Sequence, residues 1–234
     1  MRSPLRTIGL VGGTSWVSTL EYYRIINAEI NARRGGQSSA RILLYSVDFG
    51  EIDALQARGD FDGVGSLLAD AAGKLASVGA ECILLCANTM HMHADPVQAA
   101  VSGPLIHLVD ATAQEIRRRG VDTIGLLGTR LTMERDFYAK RLRAAGIDVL
   151  VPEKEEREFI HRTIHEELVK SVFLPRSREA FFAIMRGLAA RGARGIVLGC
   201  TEIPLLVGAE QSPLPAFDTT HIHALAAVDF ALSE

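Results

Sequence analysis

Two thiols stand at the ends of matching apolar runs. Cys86 closes Ile83-Leu84-Leu85-Cys86 and is followed by Ala87-Asn88-Thr89, while Cys200 closes Ile196-Val197-Leu198-Gly199-Cys200 and is followed by Thr201-Glu202. Each run reads as a short buried strand, and a polar turn follows each. In open α/β sheets, ligands bind beyond the carboxyl ends of the strands. The plain alternative for a cysteine is a small buried hydrophobe, and that is how Cys82 reads inside its strand. Cys86 and Cys200 read instead as chemistry-bearing. Two opposed acid–base groups suit the removal of a proton from one face of a carbon and its return to the other. A thiol titrates near ~8.5 and is readily lowered. One site can then hold a thiolate and a thiol near neutral pH, titrating as a coupled pair.

The neighbouring residues supply what such chemistry needs. Asn88, Thr89 and Thr201, with the N–H groups of their turns, can hold a carboxylate. Gly12-Gly13-Thr14-Ser15 follows the first strand and precedes a helix, so it offers an anion seat or simply a tight turn; it lacks the full dinucleotide fingerprint. Thr129 and Thr132 occupy the related loop of the second half. His91 and His93 have a metal-ligand spacing, but no further ligand lies near them in sequence, and local hydrogen bonding is the rival reading. Glu202 reads as a group that tunes Cys200, against a surface ion pair. His221 and His223 read as packing residues at the start of the last helix, and the charged stretch from Glu153 to Arg157 as a solvated helix face.

These residues sit in a chain of 234 residues that repeats itself. Thr7-Ile8-Gly9-Leu10-Val11-Gly12 matches Thr123-Ile124-Gly125-Leu126-Leu127-Gly128. Leu75-Ala76 with Gly79-Ala80 matches Leu188-Ala189 with Gly192-Ala193. Pro104-Leu105 with Asp110-Ala111-Thr112 echoes Pro213-Leu214 with Asp218-Thr219-Thr220. The cysteines lie 114 positions apart (200 − 86), one place out of step with the neighbouring strands. Between the anchors, strand-like segments such as Arg41 to Val47 alternate with helical patterns. Leu20, Tyr23, Ile26 and Ile30 mark one helix face, with Ser18 and Glu21 as its capping box. Val64, Leu68, Ala71, Leu75 and Val78 mark another, ended by Gly79. Met133, Phe137 and Leu142 mark a third, and 153–170 and 176–191 read as helices.

The alternation implies parallel sheets covered by helices: an α/β chain of two pseudo-symmetric parallel-sheet domains facing each other across a cleft, divided near Ser102-Gly103. Net charge is −3, with 48% hydrophobic and 23% charged residues. No basic stripe suggests nucleic acid, and no apolar run approaches a membrane span. Three cysteines do not form a secreted disulfide framework. Residues 1–6 carry no leader-like apolar stretch, so the reading is a cytoplasmic protein.

The set Ile8-Gly9-Leu10-Val11-Gly12-Gly13-Thr14-Ser15, Cys86-Ala87-Asn88-Thr89-Met90-His91 and Gly199-Cys200-Thr201-Glu202 resembles the aspartate/glutamate racemase superfamily, and within it the aspartate-racemase branch. The chain is most similar to that branch's bacterial broad-specificity amino-acid racemases. The resemblance implies a racemase that uses no cofactor, neither pyridoxal phosphate nor metal. In it Cys86 and Cys200 are the two bases, and Gly13, Thr14, Ser15, Asn88, Thr89, Thr129 and Thr201 hold the amino acid. His91, Glu202 and Asp48 then stand behind the residues that touch substrate. It further implies a homodimer and an exchanged carboxyl-terminal segment. The domains expected are 1–102 with about 213–234, and 103–212. Two departures bear on specificity. Thr14-Ser15 replaces the Asp-Ser of glutamate racemases. Val47-Asp48-Phe49 and Val169 stand where strict aspartate racemases carry an arginine and a lysine for the side-chain carboxylate. Tolerance of several amino acids, uncharged ones above acidic ones, is therefore expected. The rivals are other reactions of the superfamily, such as hydantoin racemisation or maleate isomerisation, and a thiol redox sensor, which lacks a C-x-x-C motif.

Overall fold

Alternating strands and helices run through residues 4–233, which the computed structural model describes; of the amino-terminal stretch read above, residues 1–3 lie outside it. β1 (Ile8–Gly12) leads through α1 (Trp16–Arg34) to β2 (Ile42–Ser46), and α2 (Phe49–Ala57) and α3 (Phe61–Ser77) lead on to β3 (Cys82–Leu85). The three strands form a parallel sheet in the order β2-β1-β3. A helical turn at Thr89–His93 and α4 (Ala94–Ala99) follow, and then α5 (Leu108–Arg118).

The second sheet repeats the plan. β4 (Thr123–Gly128) is followed by α6 (Arg130–Glu134) and α7 (Asp136–Ala144), and β5 (Asp148–Leu150) by α8 (Lys154–Glu166) and α9 (Pro175–Ala190). β6 (Gly195–Gly199), α10 (Ile203–Leu206), β7 (Ala216–Asp218) and α11 (Thr219–Leu232) complete the chain. The order is β5-β4-β6-β7, all parallel. The chain divides into one unit of residues 1–108 with 223–234 and another of 109–222. The borders thus lie later than 102/103 and 212/213. Residues 216–218 stay with the second unit because they hydrogen-bond to β6, and the return to the first unit falls inside α11.

β1, β3 and β6 are buried throughout, because the pleat turns successive side chains to opposite faces and helices cover both. In the first unit Cys82, Leu84 and Cys86 join a core with Tyr22, Ile26 and Ile30 of α1 and with Ala224, Ala227 and Val228 of α11. Ile83 and Leu85 point the other way, into a core with Val64, Leu68 and Leu75 of α3 and Val97 of α4. In the second unit Ile196, Leu198 and Cys200 pack with Ile160 of α8 and with Phe181, Met185 and Leu188 of α9. Among the described residues no helix is long and apolar enough to cross a membrane.

Three local expectations are corrected. Helix α1 starts a turn earlier than the proposed Ser18–Glu21 box: Ser15 is the cap and accepts from Ser18 N, while Glu21 pairs with Arg24 at 2.8 Å. Its buried face is Tyr22, Ile25, Ile26 and Ile30, and Leu20 and Tyr23 are exposed. The single helix over Met133 to Leu142 is two, because Arg135 is extended (φ −88°, ψ 143°) between α6 and α7. Finally, the segment from Glu153 to Arg157 does more than face solvent. Glu153 and Glu156 form the capping box of α8, and Arg157 bonds Glu134 at 2.9 Å.

Candidate functional site

The carboxyl edge of the first sheet gathers the loop after β1 and the loop after β3. Cys86 N donates to Val11 O at 3.0 Å, which extends the β1–β3 ladder one step past the last strand residue and fixes where the thiol starts. The Ser18 hydroxyl lies 2.9 Å from the carbonyls of both Cys86 and Ser15. This ties the cysteine to the first turn of α1.

Gly13 is glycine by necessity. Its φ is +89°, and a Cβ there would run into the backbone N and O of Val47. Its N–H donates to Thr19 Oγ1 at 2.9 Å, so that amide is engaged in building the turn rather than left open to an anion. Thr14 Oγ1, in contrast, is buried with no hydrogen-bond partner in the protein. Asn88 is buried at the head of the Thr89–His93 turn, and Thr89 is half-buried. Asp48 is exposed and accepts from Gly50 N at 2.9 Å as the cap of α2.

The carboxyl edge of the second sheet gathers Thr129, Thr132, Cys200, Thr201 and Glu202. Thr129 caps α6, accepting from Thr132 N at 3.3 Å, and the two hydroxyls lie 3.1 Å apart. Cys200 Sγ donates to Glu202 Oε2 at 3.0 Å, and Thr201 Oγ1 donates to the same oxygen at 2.7 Å. Glu202 is 2% exposed, and its Oε1 is buried without a partner in the protein. The expected site residues thus fall into two groups, one at each sheet's carboxyl edge.

The two thiols differ in setting. Ile83 pairs with Leu105, and Ile196 with Ala216, so Cys86 is three places past its anchor and Cys200 four. One step in a strand turns the side chain over. Cys86 accordingly lies on the α1/α11 face of its sheet and Cys200 on the α8/α9 face of its own. Burial pushes the Cys86 thiol up. Burial first, and then the Glu202 charge and hydrogen bond, push Cys200 well up. A readily lowered thiol was expected; the structure holds both protonated at neutral pH, because a dry interior disfavours the charged form. Cys82, inside β3, is pushed up to about 12 by burial. All three are free thiols.

The histidines separate clearly. His221 is exposed, and His223 is wholly buried with its pKa well below the usual range, through burial and then the neighbouring His91. His93 is buried and lowered for the same first reason. Among the described residues, no three His, Cys, Asp or Glu side chains converge as metal ligands. Val169 and Lys170 lie in a short helical turn, Leu168–Lys170, rather than on a long helix. Sequence reasoning missed Ser18 and Thr19 as anchors of the two loops. The signal was present in a run of hydroxyls (Thr14, Ser15, Ser18, Thr19) at one helix start.

Residues 11–227 match the model of the family described as Asp/Glu/Hydantoin racemase. A sequence relative is the Bacillus subtilis (strain 168) "Broad specificity amino-acid racemase RacX", 26% identical over 164 residues and covering 69% of each chain. Among solved structures, a Yersinia pestis protein described provisionally as an Asp/Glu racemase is 50% identical, with TM-score 0.92 over 98% of this chain and 100% of that one. An aspartate racemase homologue from Pyrococcus horikoshii OT3 is 35% identical, with TM-score 0.85 over 98% and 100%.

Proposed function

Since the chain belongs to the Asp/Glu/hydantoin racemase family, we propose that it is a cofactor-independent amino-acid racemase with Cys86 and Cys200 as its two proton-transfer groups. The thiolate of one cysteine takes the α-hydrogen, and the electron pair moves into the α-carboxylate. The thiol of the other cysteine then returns a proton to the opposite face, and the two exchange protonation states with each turnover. Running the reaction in the other direction exchanges their roles.

The observation that carries this reading is the position of the thiols. Each is the first residue past the third strand of its unit, β3 or β6, in two parallel sheets that share the order β2-β1-β3 and β5-β4-β6, with β7 added beside β6 in the second. Each is followed by polar groups: Asn88 and Thr89 in one case, Thr201 and Glu202 in the other. On this reading Thr14, Ser15, Asn88, Thr89, Thr129 and Thr201 hold the substrate's carboxylate and ammonium. The buried Thr14 hydroxyl, without a protein partner, supports its place among them, since buried polar groups are otherwise almost always satisfied. Gly13 shapes the loop rather than binding through its amide. The buried thiols need a positive charge to ionise, and the substrate's own ammonium supplies it.

The specificity we assign is broad. Asp48 is committed to capping α2 and Val169 to packing against the core of the second unit, so neither offers a cation to a side-chain carboxylate. The reading also takes the protein to be a cytoplasmic homodimer acting on small-molecule amino acids, a state that analytical ultracentrifugation checks directly. The test of function is a panel of L- and D-amino acids incubated with purified protein and no added cofactor, followed by chiral chromatography. Interconversion of several uncharged amino acids is expected. No interconversion across the panel refutes the assignment.

A further inference from the structure

A closed circuit of buried hydrogen bonds surrounds the loop that carries Cys86. Ser18 and Tyr22 stand one turn apart on α1. Ser18 Oγ donates to Cys86 O at 2.9 Å, and Tyr22 Oη lies 2.7 Å from His223 Nδ1. His223 Nε2 lies 2.7 Å from Ile106 O. Two residues on, Leu108 N donates to His91 Nε2 at 3.2 Å, and His91 Nδ1 lies 2.9 Å from Ala87 O, next to Cys86. Tyr22, His91 and His223 are all 2% exposed or less. The rings also touch: His91 lies 4.8 Å from His107 and 5.4 Å from His223, centroid to centroid.

The partners fix the protons. A backbone N–H only donates and a carbonyl only accepts. His91 therefore accepts at Nε2 and carries its proton on Nδ1. His223 carries its proton on Nε2 and accepts the Tyr22 hydroxyl at Nδ1. A second proton on His91 would break its bond from Leu108, so the ring is not built to shuttle protons. It is built to hold Ala87 against Leu108.

We infer that His91 is a positioning residue for Cys86: its neutral Nδ1–H tautomer holds the Ala87 carbonyl and thereby sets the direction of the thiol. This rests on the proposed role of Cys86 as a proton-transfer group. At Cys200 the thiol is directed instead by its own bond to Glu202. Loss of His91 should therefore act on one half of the reaction.

The experiment uses three variants. His91→Asn retains an N–H donor at the position of Nδ1. His91→Gln retains an acceptor near Nε2 but no donor to Ala87. His91→Phe retains neither. The probes are the two enantiomers, separately, of the amino acid that the wild type racemises fastest, with exchange of the α-hydrogen followed in deuterated water. The enantiomer served by Cys86 is the one whose exchange Cys86→Ser abolishes. For that enantiomer, His91→Phe and His91→Gln should lower exchange about tenfold or more, since small misplacements of a reacting group cost up to about a hundredfold. His91→Asn should recover most of it, and exchange from the other enantiomer should stay near wild type in all three. Equal losses for both enantiomers, no loss in any variant, or failure of Asn to rescue would overturn the inference. A wild type that exchanges neither enantiomer of any amino acid in the panel refutes the proposed function instead. Nitrogen-15 NMR of the imidazoles reads the tautomer independently of activity. A protonated Nε2 on His91 at neutral pH would overturn the inference by itself.

Discussion

Replacing Glu202 by Gln separates the two thiols, because Glu202 acts on only one of them. Its Oε2 sits 3.0 Å from Cys200 Sγ, and both its charge and its hydrogen bond hold the proton on sulfur. Two unit charges about 4 Å apart at an effective dielectric of about 20 interact by about 4 kcal/mol. Gln removes that charge and keeps a neutral acceptor for the thiol, worth about 1 kcal/mol, so the midpoint for ionising Cys200 should fall. The assay is the pH dependence of iodoacetamide alkylation, with peptide mapping to resolve each cysteine. Cys86, raised by burial alone, is the internal control and should not move. A Cys200 midpoint that stays or rises, or an equal shift at Cys86, would refute the argument.

Other consequences are checked by stability. Cys82, Cys86 and Cys200 all stay protonated in the fold to higher pH than in the unfolded chain. The folded state thus binds more protons once unfolded thiols ionise, near about pH 8.5. Stability should be fully present below that pH and fall above it by up to about 1.4 kcal/mol per pH unit for each thiol. Cys82→Ala should shallow the slope in urea unfolding between about pH 8.5 and 10; an unchanged slope contradicts this. On the acid side, His223 is held neutral well below its usual range, so the unfolded chain takes up the proton first. Stability should fall as pH drops below about 6.5, and His223→Phe should cost stability at pH 8 while shallowing that acid slope. Gly13→Ala should destabilise by about 2 kcal/mol or more, from a left-handed φ and backbone collision together. Gly192→Ala, left-handed with open space around it, should cost only about 1 kcal/mol; equal costs would contradict the collision at Val47.

What was legible in the chain was local. The apolar run, the thiol and the polar turn at Cys86 and at Cys200 are adjacent in sequence, and so were readable. So was the repeat that makes β1-β2-β3 and β4-β5-β6 alike. What stayed hidden depends on pairs far apart. Tyr22 meets His223 across 201 positions, and no period in the sequence announces it. The apolar stripe of α1 in the sequence is misleading because Leu20 and Tyr23 are apolar yet exposed, while Tyr22 and Ile25 are buried. The break at Arg135 has no Gly or Pro to mark it. The one-place slip between the cysteines was visible, but its meaning, opposite faces of equivalent sheets, needed the register of β3 against Leu105 and of β6 against Ala216. That both thiols are held protonated was also out of reach, since desolvation depends on packing rather than on neighbours in the chain.

The proposed function requires both sulfurs to serve one α-carbon. Cys86→Ser and Cys200→Ser, each shown by circular dichroism to remain folded, should be assayed for conversion of L- to D- and of D- to L-amino acid by chiral chromatography. Each substitution alone should abolish interconversion in both directions, because every proposed turnover needs one group to take the proton and the other to give it. Either variant racemising at the wild-type rate would contradict it.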